Sequence, residues 1–166
     1  PMDTIATVDS GAHRILLSQM WECADPRTLL QSTALCTMGC AVPLAIGAKL
    51  AAPERTVVSF SGDAGLLMVA GDLSTAAENA QNTIFVVFVD QSLALIDLKQ
   101  RGRKLDNNGV DFRGHDYAAI GRAFGGHGAT VTNRAELRAA LEAAQTADNY
   151  TLIAAVIDKH AYDGRI

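Results

Sequence analysis

Two aspartates carry the chemistry that this chain offers most plainly. Asp63 stands in Ser61-Gly62-Asp63-Ala64-Gly65, directly after the apolar run Thr56-Val57-Val58-Ser59-Phe60. Asp90 stands in Asp90-Gln91-Ser92, directly after Thr83-Ile84-Phe85-Val86-Val87-Phe88-Val89. Runs of that kind read as buried strands of a parallel sheet. Asp90 follows Asp63 by 27 positions (90 − 63), room for one helix and one strand, and a right-handed crossover brings the chain back to the same sheet edge. Two carboxylates at one edge can hold a divalent cation. Gly62, Ala64 and Gly65 are small enough for the amides of Ala64, Gly65 and Leu66 to approach a phosphate from a helix N-terminus. Asp63 would repel a bare phosphate, but a magnesium ion between them removes the conflict, because magnesium shares its oxygens with substrate phosphates. Taken alone, Gly62-Asp63-Ala64 also fits an ordinary capped turn.

Two further segments have the same character. Asp9-Ser10-Gly11-Ala12-His13 follows an apolar run and opens a helix, so the Ser10 and Gly11 region can donate amides to phosphate, with His13 as a further donor or as a surface residue. Cys36-Thr37-Met38-Gly39-Cys40-Ala41-Val42-Pro43 precedes a stretch of small apolar residues, and Met38 there also fits a core position at a helix start. His115, His127 and His160 have no ligand spacing, and Gly125, Gly126 and Gly128 lie between helix and strand in the wrong order for a phosphate fingerprint.

Strands alternating with helices must position these residues. Ile5 to Val8 reads as a strand, and Ala12 to Trp21 as a helix with Ile15, Leu16 and Met20 on one face. Met38 to Ala52 reads as a buried helix with Pro43 in its first turn and Pro53 as its stop. The spacing predicts a helix from about Gly65 to Asn79 with Leu66, Val69, Leu73 and Ala77 inward, and another from about Leu93 to Gln100. Residues 101 to 115 read as an open loop, with Arg101, Arg103 and Lys104 solvated and Asn107-Asn108 as a turn. Asp116 caps a helix from Tyr117 to Phe124, closed by Gly125-Gly126, and Asn133 caps one reaching about Ala147. Ala129 to Thr132 and Leu152 to Ile157 are the remaining strands. The expected fold is α/β, one domain over residues 1 to 166, with a parallel sheet flanked by helices on both faces.

The chain has 166 residues, 49% of them apolar and 19% charged, enough for a sizeable core. Its net charge of −4, without a basic run, argues against nucleic acid as a partner. No apolar stretch is long enough to span a membrane, and no signal-peptide pattern opens the chain. Three cysteines, Cys23, Cys36 and Cys40, fit no zinc or disulfide framework, so a reducing, cytoplasmic setting is expected. Pro1 precedes Met2, so a piece of a longer protein is expected.

The three motifs, in this order and covering Ile5 to Ile157, resemble the thiamine diphosphate-binding domain of the acetolactate synthase and pyruvate decarboxylase superfamily. That family carries Gly-Asp-Gly/Ala and, one helix and one strand later, Asn-Asn; here the pair reads Val89-Asp90. The resemblance implies a thiamine diphosphate-binding fold, with Asp63, Asp90 and the Ser92 carbonyl as Mg2+ ligands. It implies diphosphate contacts from Ser10, Gly11, His13, Gly62, Ala64, Gly65 and Ser92. The segment Thr37-Met38 resembles the family's cofactor-bending motif, with Met38 under the thiazolium ring and the Cys36 carbonyl accepting from the 4′-amino group. The activating glutamate of the family resides in a separate pyrimidine-binding domain, normally of a partner subunit. This chain is therefore expected to supply half a site and to have no turnover alone, within a homo-oligomer whose other domains cover an apolar face at Leu66, Leu67 and Met68.

The implied parent is a thiamine diphosphate- and Mg2+-dependent 2-oxo acid carboligase or decarboxylase, acetolactate synthase-like. Asp97-Leu98-Lys99 departs from the Met-Gln-Trp run of biosynthetic acetolactate synthases, which leaves the 2-oxo acid open. Alternatives are a separate subunit of a two-chain 2-oxo acid decarboxylase and a non-catalytic module that keeps the fold, the latter suggested by Val89-Asp90. A dinucleotide-binding domain would need Gly-x-Gly-x-x-Gly after the first strand, which Asp9 to Arg14 lacks.

Overall fold

Predominantly apolar runs form the centre of a sheet, because strands covered on both faces bury most of their side chains. In the computed structural model, which describes residues 1–80 and 82–166, these runs are β1 (Ile5–Val8), β3 (Val57–Gly62), β4 (Ile84–Val89) and β6 (Thr151–Val156). Two shorter strands, β2 (Leu29–Gln31) and β5 (His127–Val131), lie at the edges. The six strands are all parallel, in the order β2-β1-β3-β4-β6-β5. The expected α/β architecture is the one the chain adopts.

The helices are α1 (Ala12–Met20), α2 (Ala41–Ala51), α3 (Asp63–Met68), α4 (Asp72–Asn79), α5 (Ala94–Gly102), α6 (Tyr117–Ala123) and α7 (Arg134–Ala144). On one face of the sheet Phe85, Val87, Leu152 and Ala154 pack with residues of α2, α4 and α6; on the other, Val58, Ile84, Val86 and Ile153 pack with α7. The alternation of Phe85 and Val87 with Ile84 and Val86 is the period-2 rule of a strand buried on both sides. Each fully buried Val, Leu, Ile or Phe side chain contributes about 1.5–3 kcal/mol. Asp116 accepts from the Ala119 N–H at 2.9 Å and Asn133 from the Glu136 N–H at 3.0 Å, as their cap positions require. Among the described residues, no helix is long and apolar enough to cross a membrane.

Several expectations need correction. The helix expected from Gly65 to Asn79 is two helices. It begins at Asp63, breaks at Val69-Ala70-Gly71 and restarts at Asp72, whose carboxylate favours a new helix N-terminus. Gly39 lies against Val69 at this break, where an added Cβ would come within 3.0 Å of Val69 Cγ1. The helix expected from Met38 starts at Ala41, so Met38 sits in the preceding turn. Met20 is exposed rather than inward, and Leu66 is fully buried in the core, so it does not belong to an open apolar face; Leu67 and Met68 do. The last three helices and strands shift by one to three residues at their ends. Arg101 is not in a loop: it closes α5 and pairs with Asp97 at 2.8 Å and Asp163 at 2.7 Å. No local pattern announces the edge strand β2. It is three residues long and half-buried, too short for a periodic signal.

Candidate functional site

Strand order reverses between β1 and β3, where the chain leaves toward β2 on one side and β4 on the other. Loops at the carboxyl ends of such neighbours diverge and leave a crevice, the usual ligand site of an open α/β sheet. The register sets Val8 beside Phe60 and Gly62 beside Phe88. Asp9, Asp63 and Asp90 therefore emerge at the same sheet edge, where Asp63 and Asp90 line a cleft of about 250 Å³.

Asp9 is fully buried and acts as a clasp. Its carboxylate accepts from the N–H groups of Ser10 at 2.9 Å, Gly39 at 2.9 Å and Cys40 at 3.1 Å. It thereby ties the β1–α1 loop to the Cys36–Cys40 turn. Gly65 completes the clasp, since a Cβ there would lie 2.1 Å from Asp9 Oδ2. Asp9 also pushes the Cys40 thiol above its usual range, after burial as the larger cause.

Asp63 is 2% exposed, with Oδ1 accepting from the Ala64 N–H and Oδ2 from the Gln91 N–H, both at 2.8 Å. One of the amides expected to face a phosphate, that of Ala64, is thus engaged by Asp63 itself. Asp90 Oδ1 accepts from the Ser92 N–H at 3.1 Å. Burial raises both carboxyls, and Asp90 is pushed up to about 7 by burial and then by the charge of Asp63. Two carboxylates that feel each other's charge beside a buried sheet edge resist ionising together. Each keeps lone pairs that the amides do not use. Ser92 pairs with Asp111 in a short antiparallel bridge whose two hydrogen bonds, Leu93 N–H to the Val110 carbonyl and Phe112 N–H to the Gln91 carbonyl, leave the Ser92 carbonyl free. An all-oxygen set of two carboxylates and a carbonyl suits magnesium and would relieve the repulsion. Among the described residues, no three His, Cys, Asp or Glu side chains form a metal cluster.

His13 is 6% exposed, not a surface residue. Burial, opposed by the backbone of Asp9, lowers its ring to about 4, so it is neutral at pH 7. Its Nε2 is buried without a partner among the described residues. Gly11 makes the fit possible: its φ is +155°, and a Cβ would strike His13 Cε1 at 2.7 Å. His13 leans on Phe88, centroids 5.6 Å apart.

Cys36 and Met38 also line the cleft. Cys36 (φ 49°) and Gln91 (φ 58°) are non-glycine residues in the left-handed region, both beside the cleft. Every residue expected at the site lines this cleft except Thr37, which is exposed in the turn beside it. Three contributors are not legible as such in the sequence. Asp9 reads there only as part of a phosphate loop. Tyr117, buried with its hydroxyl unpartnered, and Tyr162, which lines the cleft, have phenols raised by burial and by the charges of Asp63 and Asp90. Nothing in the local sequence marks the tyrosines, which lie 27 and 72 positions beyond Asp90 (117 − 90; 162 − 90).

The family model for the thiamine pyrophosphate enzyme, C-terminal TPP binding domain, matches residues 9–155. The catabolic acetolactate synthase of Raoultella terrigena is 32% identical over 156 residues, covering 94% of this chain and 28% of that protein. The acetolactate synthase of Bacillus subtilis (strain 168) is 32% identical over 152 residues, covering 92% of this chain and 27% of that protein. The chain therefore spans less than a third of these relatives. Among solved structures, benzoylformate decarboxylase from Polynucleobacter necessarius superposes with a TM-score of 0.84 at 23% identity, covering 96% of this chain and 31% of that one, a likeness of fold. The chain belongs to the thiamine pyrophosphate enzyme family, as the C-terminal TPP-binding domain of acetolactate synthase-like proteins.

Proposed function

We propose that the cleft holds the diphosphate of thiamine diphosphate through a magnesium ion, and that the domain supplies this half of the active site to a 2-oxo acid carboligase or decarboxylase. The observation that carries the reading is the pair of aspartates at the ends of β3 and β4, Asp63 buried and Asp90 half-buried, open to a cleft with lone pairs to spare. Asp63, Asp90 and the Ser92 carbonyl would hold the metal. The Ser10 amide is taken by Asp9, so the Gly11 backbone and the buried Nε2 of His13, without a partner among the described residues, would face the diphosphate. Met38 would support the thiazolium ring, and the Cys36 carbonyl would accept from the aminopyrimidine. When bound, thiamine diphosphate supplies a nucleophilic carbon for the keto group of a 2-oxo acid and takes up the electrons released with carbon dioxide. The residues of this chain bind and orient it and exclude water from its anionic end.

The activating carboxylate belongs, in this reading, to the pyrimidine-binding domain of the same enzyme, in a homo-oligomer. The exposed Leu67 and Met68, the latter close to Gly39, form an apolar rim suited to that domain. The isolated chain accordingly consumes no pyruvate with cofactor and magnesium present.

Calorimetric titration of thiamine diphosphate into the chain, with and without magnesium, tests the reading. Binding that needs magnesium and is lost in Asp63→Ala supports it. Binding indifferent to both, or absent altogether, overturns it and leaves a module that keeps the fold without the metal site.

A further inference from the structure

Beyond β6 the chain turns back over the cleft. Residues 159–165 form successive turns, with the Ala161 N–H donating to the Asp158 carbonyl, Asp163 to His160 and Arg165 to Tyr162. Two clips fasten this strap to the α5 side. Arg101 forms a bidentate pair with Asp163 at 2.9 and 2.7 Å while its Nε is held by the buried Asp97 at 2.8 Å. Lys159 Nζ reaches Asp111 at 2.8 Å. Between the clips the strap drives Tyr162 inward, to 6% exposure. Its ring packs on Ala12, the first residue of α1, and Ala94, the first residue of α5. Methyl side chains at both positions let an aromatic ring lie directly beside the two loops that carry Ser10–Gly11 and Asp90–Ser92.

We propose that Tyr162 is a further ligand-binding residue of the cleft: its ring closes the diphosphate end, and its hydroxyl donates a hydrogen bond to an anionic oxygen bound there. This rests on the reading of the cleft given above. Tyr162 lines the cleft together with Asp63 and Asp90, yet lies outside residues 9–155, the span of the family match. Burial and then the charges of Asp90 and Asp63 hold the phenol protonated, and among the described residues no hydrogen bond takes it up. A neutral donor is what this end can accept. A cation would compete with the metal for the aspartates, and a carboxylate would repel the diphosphate. A hydroxyl fixed by a packed ring loses little entropy when it donates.

The test uses two probes, magnesium with thiamine diphosphate and magnesium with inorganic pyrophosphate, titrated into the chain and its variants. Tyr162→Phe keeps the packing on Ala12 and Ala94, so its ligand-free melting temperature stays within about 2 °C of the parent. It is expected to bind both probes about fivefold more weakly, one hydrogen bond's worth. Arg101→Ala, which frees the strap without entering the cleft, is expected to weaken both probes in the same direction. Parent-like binding by Tyr162→Phe overturns the proposal. A loss for thiamine diphosphate but not for pyrophosphate overturns the assignment to the diphosphate end. Absence of binding by the parent, or equal binding by Asp63→Ala, overturns the reading of the cleft and this proposal with it.

Discussion

Replacing Asp90 by Asn will stabilise the metal-free protein at neutral and alkaline pH, and the size of the gain follows from the carboxyl pair. Asp90 is held at about 7 in the folded state, against an ordinary value of 3.8. A raised carboxyl favours the fold below 3.8, where both states carry the proton, and that advantage is lost as pH rises through 7. Between pH 5 and 7 the unfolded chain has already released a proton that the folded one keeps, so stability falls by about 1.4 kcal/mol per pH unit. Over that interval the fall is about 2–3 kcal/mol, and partial solvent access to Asp90 brings the expected value to about 2 kcal/mol. The substituted amide has the same shape as the carboxyl, can still accept from the Ser92 N–H and carries no charge beside Asp63. Urea unfolding of both proteins in EDTA at pH 5 and pH 8 measures the effect. Titrations elsewhere cancel in the difference between the two proteins. The stability gap in favour of Asp90→Asn should widen by about 2 kcal/mol from pH 5 to pH 8, and saturating magnesium should shrink or reverse it. A gap that does not change with pH in EDTA would refute the claim that the two carboxylates resist ionising together.

Three more expectations follow from the same geometry. His13 is neutral and held at about 4 against 6.5, so its contribution is present above pH 6.5 and is lost as pH falls toward 4. The parent should lose about 3 kcal/mol relative to His13→Phe over that window, read by urea unfolding; equal acid sensitivity would contradict a buried neutral ring. Gly65→Ala places a Cβ 2.1 Å from Asp9 Oδ2 and should cost about 2–4 kcal/mol, a fall in melting temperature of roughly 10 °C. Asp9→Asn loses an anionic acceptor facing the amides of Ser10, Gly39 and Cys40 and should cost about 2–3 kcal/mol. The double variant should lose less than the sum, since both changes open one clasp; strict additivity in calorimetric unfolding would show that Gly65 and Asp9 act separately.

Local pattern carried most of the fold. Predominantly apolar runs mark β1, β3, β4 and β6, because a strand buried on both faces takes apolar residues toward both layers. Asp116 and Asn133 mark helix starts, because a cap is chosen by the two or three residues around it. The break between α3 and α4 was less legible. Leu66, Val69, Leu73 and Ala77 keep helical spacing across it, while the approach of Gly39 from a distant turn shapes the corner at Val69. β2 is a strand because Leu29 to Gln31 find the free edge of β1, a non-local event that three residues cannot announce.

The amino-acid order by itself determined that Asp63 and Asp90 end neighbouring strands, since the handedness of a βαβ crossover leaves one way to return to the sheet. It determined the small residues of the turns and, through the likeness of three motifs, the family. Tertiary structure alone decided the electrostatics and the closure of the cleft. Asp90 rises to about 7 because burial and Asp63 act on it together, and His13 is neutral because Gly11 lets its ring fold inward. Asp9 clasps a turn 30 residues away, and Tyr162 reaches the cleft because Arg101 and Asp111 hold the strap that carries it. Spacing along a chain encodes short crossovers. Desolvation and charge coupling depend on distances through space, which exist only once the sheet has brought its loops together.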